Sequence, residues 1–207
     1  MKRSSNIFEQ LKSLPYFDKE AVLQLNTRVG GLTPSSVNTF IARALKHREI
    51  LAIKRGLYVA TTFYDSHKND SSYSFFLANI VRRPSYVSSW TALQHYNLVT
   101  EGIRTITSVT PKTTRSYDTR VGTFTYASIS GTLFDGFVLK KGTFDFFIAT
   151  PAKALFDLLY FKTKRFRYVA PKDIPGLLEE LRIDFDEMDS QEQKKFRALI
   201  SRYLHRG

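Results

Sequence analysis

A segment near the N-terminus carries side chains suited to contact a polyanion. Over residues 34–48, apolar residues recur at helical spacing: Val37, Ile41, Ala44 and Leu45, with Phe40 beside them. The other face of this predicted helix has no acidic residue and consists of Ser35, Ser36, Asn38, Thr39, Arg43 and Lys46. A solvated helix normally mixes Glu with Lys for pairing at four-residue spacing. These hydroxyl, amide and cationic groups instead can contact phosphates and base edges, which predicts a DNA-recognition helix.

A short β-hairpin is predicted directly after this helix. Two β-prone runs, residues 50–53 and 57–59, flank the basic turn formed by Lys54, Arg55 and Gly56. With a helix in the major groove, Lys54 and Arg55 at the tip of such a hairpin would reach the adjacent DNA backbone.

Two more helices are predicted before the recognition helix. Asn6 with Glu9 has the spacing of a capping box, Asp18 can cap the second helix, and Thr33 before Pro34 is a start signal for the third. Three helices followed by a basic hairpin are typical of a winged helix-turn-helix domain, predicted over residues 1–61. The connection over residues 26–32 is longer than the roughly three-residue turn of the strict motif.

The net charge of the chain is large and unevenly distributed. The 207 residues carry a net charge of +12. Residues 1–60 hold +6 and residues 61–170 hold +7, whereas residues 171–207 hold −1. A basic balance of this size indicates a polyanionic partner, with double-stranded DNA as the first expectation.

Several classes of protein are excluded by what the sequence lacks. There is no cysteine, so neither disulfides nor thiolate zinc sites can form, and the four histidines are scattered. The longest uncharged stretch, residues 84–100, is short and rich in polar residues, and no signal peptide is expected at the N-terminus. We therefore expect a cytoplasmic protein with no membrane partner and no metal or other cofactor.

The rest of the chain predicts a second domain. Polar residues 62–74 predict a linker, and residues 75–207 predict an α+β domain with an antiparallel sheet and terminal helices. Its helix signals are Ser88 or Ser89 as a cap, Thr150 before Pro151, and Asp189 with Glu192 as a capping box. Its predicted strands are residues 105–109, 122–129, 134–139 and 144–149, in which Phe124, Tyr126, Phe144 and Phe146 alternate as half-buried strands do.

Catalytic patterns are missing from the sequence. There is no Walker A or GxGxxG phosphate loop. Asp184, Asp186 and Asp189 lack the glycine that a calcium loop requires, which favours capping and solvation for these residues. His95 favours a structural role, and Asp157 on an apolar helix predicts a buried carboxylate with an Arg partner. The sequence therefore predicts a protein that is not an enzyme.

An ordered set of motifs resembles the AbiEi family, the antitoxins of type IV toxin–antitoxin systems in abortive infection. The resemblance covers about residues 11–160. Its parts are residues 32–34, the hairpin at 54–59, residues 86–93 (Tyr-Val-Ser-Ser-Trp-Thr-Ala-Leu), residues 102–109, and residues 149–159. The last motif keeps Lys153 and Asp157 but has Ala152 where the family usually has Glu.

The resemblance implies a bifunctional protein. Its winged helix would bind inverted repeats in its own promoter and repress transcription, with a possible dimer on the DNA. Its C-terminal domain would counteract a cognate nucleotidyltransferase toxin without forming a stable complex with it.

Two alternatives remain open at the level of sequence. In the first, the winged helix is retained and residues 75–207 sense a small molecule or mediate dimerisation. In the second, the basic surface holds the substrate of a nuclease, although the scattered Asp residues form no recognisable nuclease constellation.

Overall fold

A computed structural model describes residues 8–29, 34–100, 102 and 104–204. The described chain has an α+β fold. Contacts between Cα atoms divide it into two compact units, Met1–Tyr73 with Tyr117–Gly122 and Ser74–Ser116 with Thr123–Gly207.

The first unit combines helices with a small antiparallel sheet. Residues 8–11 are helical. They are followed by β1 (Phe17–Asp18), α1 (Lys19–Val29), α2 (Pro34–Lys46), β2 (Ile50–Lys54), β3 (Leu57–Ala60) and α3 (Thr61–His67). The strands lie in the order β1-β3-β2, and both pairings are antiparallel.

The core of the first unit forms where the helical periodicity predicted it. Val37, Ile41 and Ala44 on α2 are buried, together with Leu11, Phe17, Val22 and Ile50. Phe40 and Leu45 pack against this core as partly buried residues. The predicted cap at Asp18 is confirmed, because its Oδ1 accepts a hydrogen bond from the backbone N–H of Ala21 at 2.8 Å. The predicted caps at Asn6 and Thr33 lie outside the described residues.

The polar stretch at residues 62–74 is helical rather than irregular. It contains most of α3 and the start of α4 (Ser71–Val81). Its few aromatic residues form a small cluster: the ring of Phe63 stacks on His67 with centroids 4.2 Å apart and meets Tyr73 edge-on at 5.6 Å. Tyr73 is fully buried. The segment is polar on average, but these aromatic rings pack against one another and stabilise its helices.

The second unit is built on a six-stranded sheet, of which residues 117–119 and Gly122 belong to the segment grouped with the first unit. After α4 come β4 (Tyr86–Val87), α5 (Ser89–His95), β5 (Ile106–Thr110), β6 (Arg115–Thr119), β7 (Gly122–Ser128), β8 (Phe137–Lys140) and β9 (Phe146–Ala149). The chain continues with α6 (Pro151–Lys162), α7 (Ile174–Glu180) and α8 (Ser190–Leu204), and α6 packs against both α5 and α8. The strand order is β6-β7-β5-β4-β9-β8.

The sheet is mixed, so the prediction of an antiparallel sheet is confirmed only in part. β5 runs parallel to β7, and β4 runs parallel to β9, whereas β4–β5 and β8–β9 are antiparallel. The chain between β5 and β7 forms the edge strand β6, and β7 then enters the sheet between β6 and β5. β6 is mostly exposed and lacks an alternating apolar pattern, so the sequence did not reveal it.

A buried ion pair lies at the centre of the second unit. Lys153 and Asp157, one turn apart on α6, are 1 % and 0 % exposed, and Nζ lies 2.6 Å from Oδ1. The other carboxylate oxygen, Oδ2, accepts hydrogen bonds from the hydroxyls of Ser88 at 2.7 Å and Tyr86 at 3.0 Å. The predicted Arg partner of Asp157 was therefore wrong, because Lys153 on the same helix supplies the cation.

The surroundings of this ion pair are tightly packed. Gly136 has a φ of +69°, and a Cβ atom there would lie 2.9 Å from Cγ of Lys153. Burial raises the pKa of Asp157, while the Lys153 ammonium and the hydroxyls of Ser88 and Tyr86 act in the opposite direction. The charged pair is thus kept away from water by packing and satisfied by its own hydrogen bonds.

Three cap predictions in this unit have different outcomes. Thr150 caps α6 as predicted, with its hydroxyl accepting from the N–H of Lys153. Of the two predicted caps of α5, Ser89 is the first residue of the helix, and Ser88 precedes the helix but makes no capping bond, because its hydroxyl is bonded to Asp157. Asp189 accepts from the N–H of Gln191, but Glu192 does not complete the predicted capping box. Its carboxylate instead accepts from the N–H of Ala152 at 3.0 Å, at the start of α6.

Among the described residues, no helix combines the length and the apolar composition needed to cross a membrane.

The structure predicts that the buried pair contributes far more to stability than an exposed pair of the same geometry. Asp157→Ala leaves the Lys153 ammonium buried and unpaired, so we expect it to lower the free energy of unfolding by about 3–5 kcal/mol. Lys141 and Asp145 are the matched control, since they have the same spacing and the same 2.6 Å separation but are exposed. We expect Asp145→Ala to leave the urea midpoint unchanged.

Equal midpoints for Asp157→Ala and Asp145→Ala would contradict the structural role of the buried pair. The double variant Lys153→Met/Asp157→Leu removes both charges together. It should therefore recover much of the stability that Asp157→Ala loses.

Candidate nucleic-acid interface

The two faces of α2 differ sharply in exposure and chemistry. Val37, Ile41 and Ala44 are 0–6 % exposed and hold the helix against the core of the first unit. Five of the six predicted contact residues lie exposed on the remaining surface of the helix, and Ser36 is half-buried. The exposed five are Ser35, Asn38, Thr39, Arg43 and Lys46. This division leaves a polar, acid-free surface on a helix whose position is fixed by its apolar side.

One hydroxyl group on this surface is already engaged within the protein. The Thr39 hydroxyl donates to the backbone carbonyl of Ser35 at 3.3 Å, so its proton is engaged within the helix. Arg43 and Lys46 form no ion pair with any carboxylate in the part of the chain that the structure describes. The uncommitted cations therefore lie in the last turn of α2.

The end of α2 is fixed by a compact hydrogen-bonded motif. The N–H of Glu49 donates to the carbonyl of Ala44, and the N–H of Arg48 donates to that of Leu45, which is the Schellman arrangement. Arg48 has a φ of +57°, in the left-handed region where glycine is usually found. The Thr61 hydroxyl donates to the Arg48 carbonyl at 2.6 Å. These bonds define where the chain leaves the helix toward β2.

The predicted hairpin is present and its turn contains two residues. Lys54 pairs with Leu57 across the hairpin, so that Arg55 and Gly56 form the turn, and Gly56 has a φ of +80°. Arg55 is exposed at the tip, whereas Lys54 is half-buried. The structure therefore places all eight predicted contact residues on two consecutive elements of the first unit.

Sequence reasoning missed one basic residue of this region. Arg48 is exposed and directly follows Lys46 and His47 beyond the end of α2. Its left-handed conformation and its bonded carbonyl give it a defined position. The signal that could have revealed it is the acid-free run from residue 34 to residue 48, which ends only at Glu49.

The other candidate chemical groups are not brought together as a catalytic site. The ring of His95 packs edge-on against Phe75 at 5.6 Å and Phe146 at 6.1 Å. Burial of the ring lowers the pKa of His95, and the positive charge of Lys140 lowers it further. No group of three His, Cys, Asp or Glu residues that could hold a metal ion occurs within the described ranges. These contacts agree with a structural role for His95.

Comparisons with family models, curated proteins and solved structures give no match to this chain.

The end of α2 predicts opposite effects for one substitution at two exposed arginines. Arg48→Gly relieves a left-handed non-glycine residue, so we expect the free energy of unfolding to rise by about 0.5–1 kcal/mol. Arg43→Gly introduces glycine into the helix interior and should lower it by about 1 kcal/mol. Urea unfolding of the two variants measures both values. The same sign for both variants would contradict the helix end described here.

Proposed function

We propose that this chain is a sequence-specific DNA-binding repressor whose first unit acts as a winged helix. The observation that carries the proposal is the exposed, acid-free face of α2, held from behind by a buried apolar stripe. A helix of this kind fits the major groove, where Asn38 and Arg43 have the amide and guanidinium groups that pair with base edges. Arg55 on the following hairpin would contact the neighbouring phosphates.

The side chains on the exposed face of α2 differ in whether they already form hydrogen bonds within the protein, which supports separate roles in DNA binding. Arg43 and Lys46 belong to one turn of α2 and can neutralise phosphates or contact guanine. The Thr39 hydroxyl is bonded to the backbone, so Thr39 is better suited to an apolar contact through its methyl group. The basic residue Arg48 extends the same proposed surface past the helix end.

Removal of the two cations on α2 should weaken DNA binding. We expect Arg43→Ala/Lys46→Ala to lower affinity for the DNA upstream of the gene about tenfold or more, with a salt slope reduced by about 0.9 for each phosphate that is no longer neutralised. Gel-shift titrations against upstream and unrelated duplexes at two salt concentrations measure both effects.

The matched control removes two charges from the same unit. Lys12 and Lys68 are ion-paired with Glu9 and Asp65, so we expect Lys12→Ala/Lys68→Ala to bind as tightly as the unmodified chain. Unchanged affinity in the Arg43/Lys46 variant would overturn the role of α2 as the DNA reader. Equal binding to upstream and unrelated duplexes would overturn the repressor function.

We further propose that the second unit acts as the antitoxin of a type IV toxin–antitoxin pair and counteracts a nucleotidyltransferase toxin. The support is the order of the sequence motifs that resemble the AbiEi family, among them Lys153 and Asp157. In this chain the start of α6 has Ala152, and the carboxylate of Glu192 bonds to its N–H. A carboxylate is thus supplied to the start of α6 by another helix.

The two proposed activities should separate genetically. When the chain is co-expressed from an unrelated promoter with the nucleotidyltransferase encoded next to it, we expect growth to be rescued. Arg43→Ala/Lys46→Ala should rescue equally well, because those residues lie on the first unit. Loss of rescue in that variant would show that protection depends on DNA binding. A gene with no nucleotidyltransferase neighbour would count against the antitoxin function.

One observation favours a second candidate function for the C-terminal helices. A cavity of about 400 Å³ lies among apolar side chains of α7, α8 and the segment between them, including Leu178, Phe185 and Phe196, with Arg197 among its lining residues. Such a cavity could admit a small amphiphilic acid, as a sensor domain would require. Calorimetry with candidate acids, followed by gel shifts in their presence, tests this alternative.

A further inference from the structure

The second unit contains a cavity that neither proposed activity uses. It has a volume of about 310 Å³ and is lined by the first turn of α5, by strands β5, β6 and β7, and by the last two turns of α6. Its lining combines three kinds of group: aromatic rings, hydroxyls and one ammonium group.

The aromatic wall consists of Trp90 and Phe161, both half-buried, and the buried Tyr126. The Lys162 ammonium lies 5.9 Å from the centroid of the Trp90 ring, within the range of a cation–π contact. Lys162 is exposed and pairs with no carboxylate of the described residues. The cavity thus presents a flat π-surface next to an unneutralised positive charge.

Hydroxyl groups of the sheet line the same cavity. Thr107 and Thr125 are register partners on the parallel strands β5 and β7, and Ser116 comes from β6. The Thr107 hydroxyl is bonded to the carbonyl of Ser88. The hydroxyls of Ser116 and Thr125 have no hydrogen-bond partner among the described residues, so they are available to a ligand.

A basic turn follows directly from the end of α6 that lines this cavity. The turn is anchored by Phe166, which is buried among the rings of Phe156, Tyr160 and Tyr203 at centroid distances of 5.5–6.3 Å. The backbone is held by bonds from the N–H groups of residues 165–167 to Tyr160 and Thr163. The anchor makes this part of the chain a defined surface.

The side chains that this turn exposes have a single chemical character. Lys164, Arg165 and Arg167 are exposed, and Tyr168 is 89 % exposed with the Arg167 guanidinium 5.0 Å from its ring centroid. Lys164, Arg165, Phe166 and Tyr168 all have positive φ values, a conformation that costs free energy at non-glycine residues and is common at functional sites. No acidic residue occurs over residues 158–172.

We infer that this cavity and the basic turn together bind an unpaired nucleotide of a single-stranded RNA. A base can stack on Trp90, and the cations of α6 and the turn can neutralise the adjoining phosphates. A base inside a duplex has both faces covered by its neighbours and cannot enter, so a single strand is required. The free hydroxyls of Ser116 and Thr125 favour RNA, since they can pair with a ribose 2′-OH.

The single tryptophan of the chain makes the test direct. Trp90 is the only tryptophan among the 207 residues, so tryptophan fluorescence, excited at wavelengths that the 11 tyrosines do not absorb, reports on this cavity alone. Titration with an octameric oligoadenylate RNA should quench this fluorescence, with an apparent affinity that falls as salt rises. The same eight adenines paired in the stem of a stable hairpin, and adenosine monophosphate, should each bind more weakly by about tenfold or more.

Variants assign the binding to individual groups, with anisotropy of an end-labelled octamer as the readout. We expect Trp90→Ala to weaken binding about tenfold or more, and Trp90→Phe, which keeps a ring, to weaken it less. Lys162→Ala/Arg167→Ala should weaken it and lower the salt slope by about 0.7 for each phosphate that is no longer neutralised.

Two controls keep this inference separate from the DNA-binding proposal. Lys141→Ala removes one cation at the opposite edge of the sheet, next to β8, and should leave RNA affinity unchanged. Arg43→Ala/Lys46→Ala should leave the quenching of Trp90 unchanged, whatever it does to DNA binding. Absence of quenching, or full RNA affinity in the Lys162/Arg167 variant, would overturn the inference. Equal affinity for adenosine monophosphate and the octamer would overturn the assignment to a strand.

Discussion

The carboxylate of Asp157 has no access to water, and the arrangement of the second unit follows from its need for partners. A buried charge is tolerated only when a counter-charge and hydrogen-bond donors surround it. Lys153 must lie one turn earlier on α6, and the hydroxyls of Tyr86 and Ser88 must reach Oδ2 from β4 and the residue that follows it. The pair thereby connects the start of α6, a central strand and the beginning of α5.

The bonds of the buried Lys153–Asp157 pair also bear on the cavity that is proposed to bind RNA. Ser88 is bonded to Asp157 and is followed by Ser89 and Trp90, while the last two turns of α6 carry Phe161 and Lys162. The rings and the ammonium of the cavity therefore lie on the two helices that the buried pair and Ser88 connect. The basic turn is fixed separately by the burial of Phe166. A rigid interior thus presents the groups proposed to bind RNA.

In the first unit, no charged side chain of the described residues is buried, and apolar packing positions the exposed polar surface. A single helix, α2, contributes Val37, Ile41 and Ala44 to the core and leaves its polar side exposed. Its end is set by hydrogen bonds at Arg48, which direct the chain into the hairpin. The two proposed nucleic-acid surfaces differ in chemistry: a convex polar helix suits a duplex groove, and a cavity with an aromatic wall suits an unstacked base.

Local patterns in the sequence determined the helices of the N-terminal region and the residues on the exposed face of α2. They also determined the cap at Asp18 and the helix start at Thr150–Pro151. All these features depend on neighbours within a few positions. Strand pairing depends on distant contacts, so the parallel β5–β7 and β4–β9 pairs and the polar edge strand β6 were decided only in the tertiary structure. The same holds for the partners of Asp157 and for the second role of Ser88, since a hydroxyl has the same local signature whether it caps a helix or bonds a buried carboxylate 69 residues away.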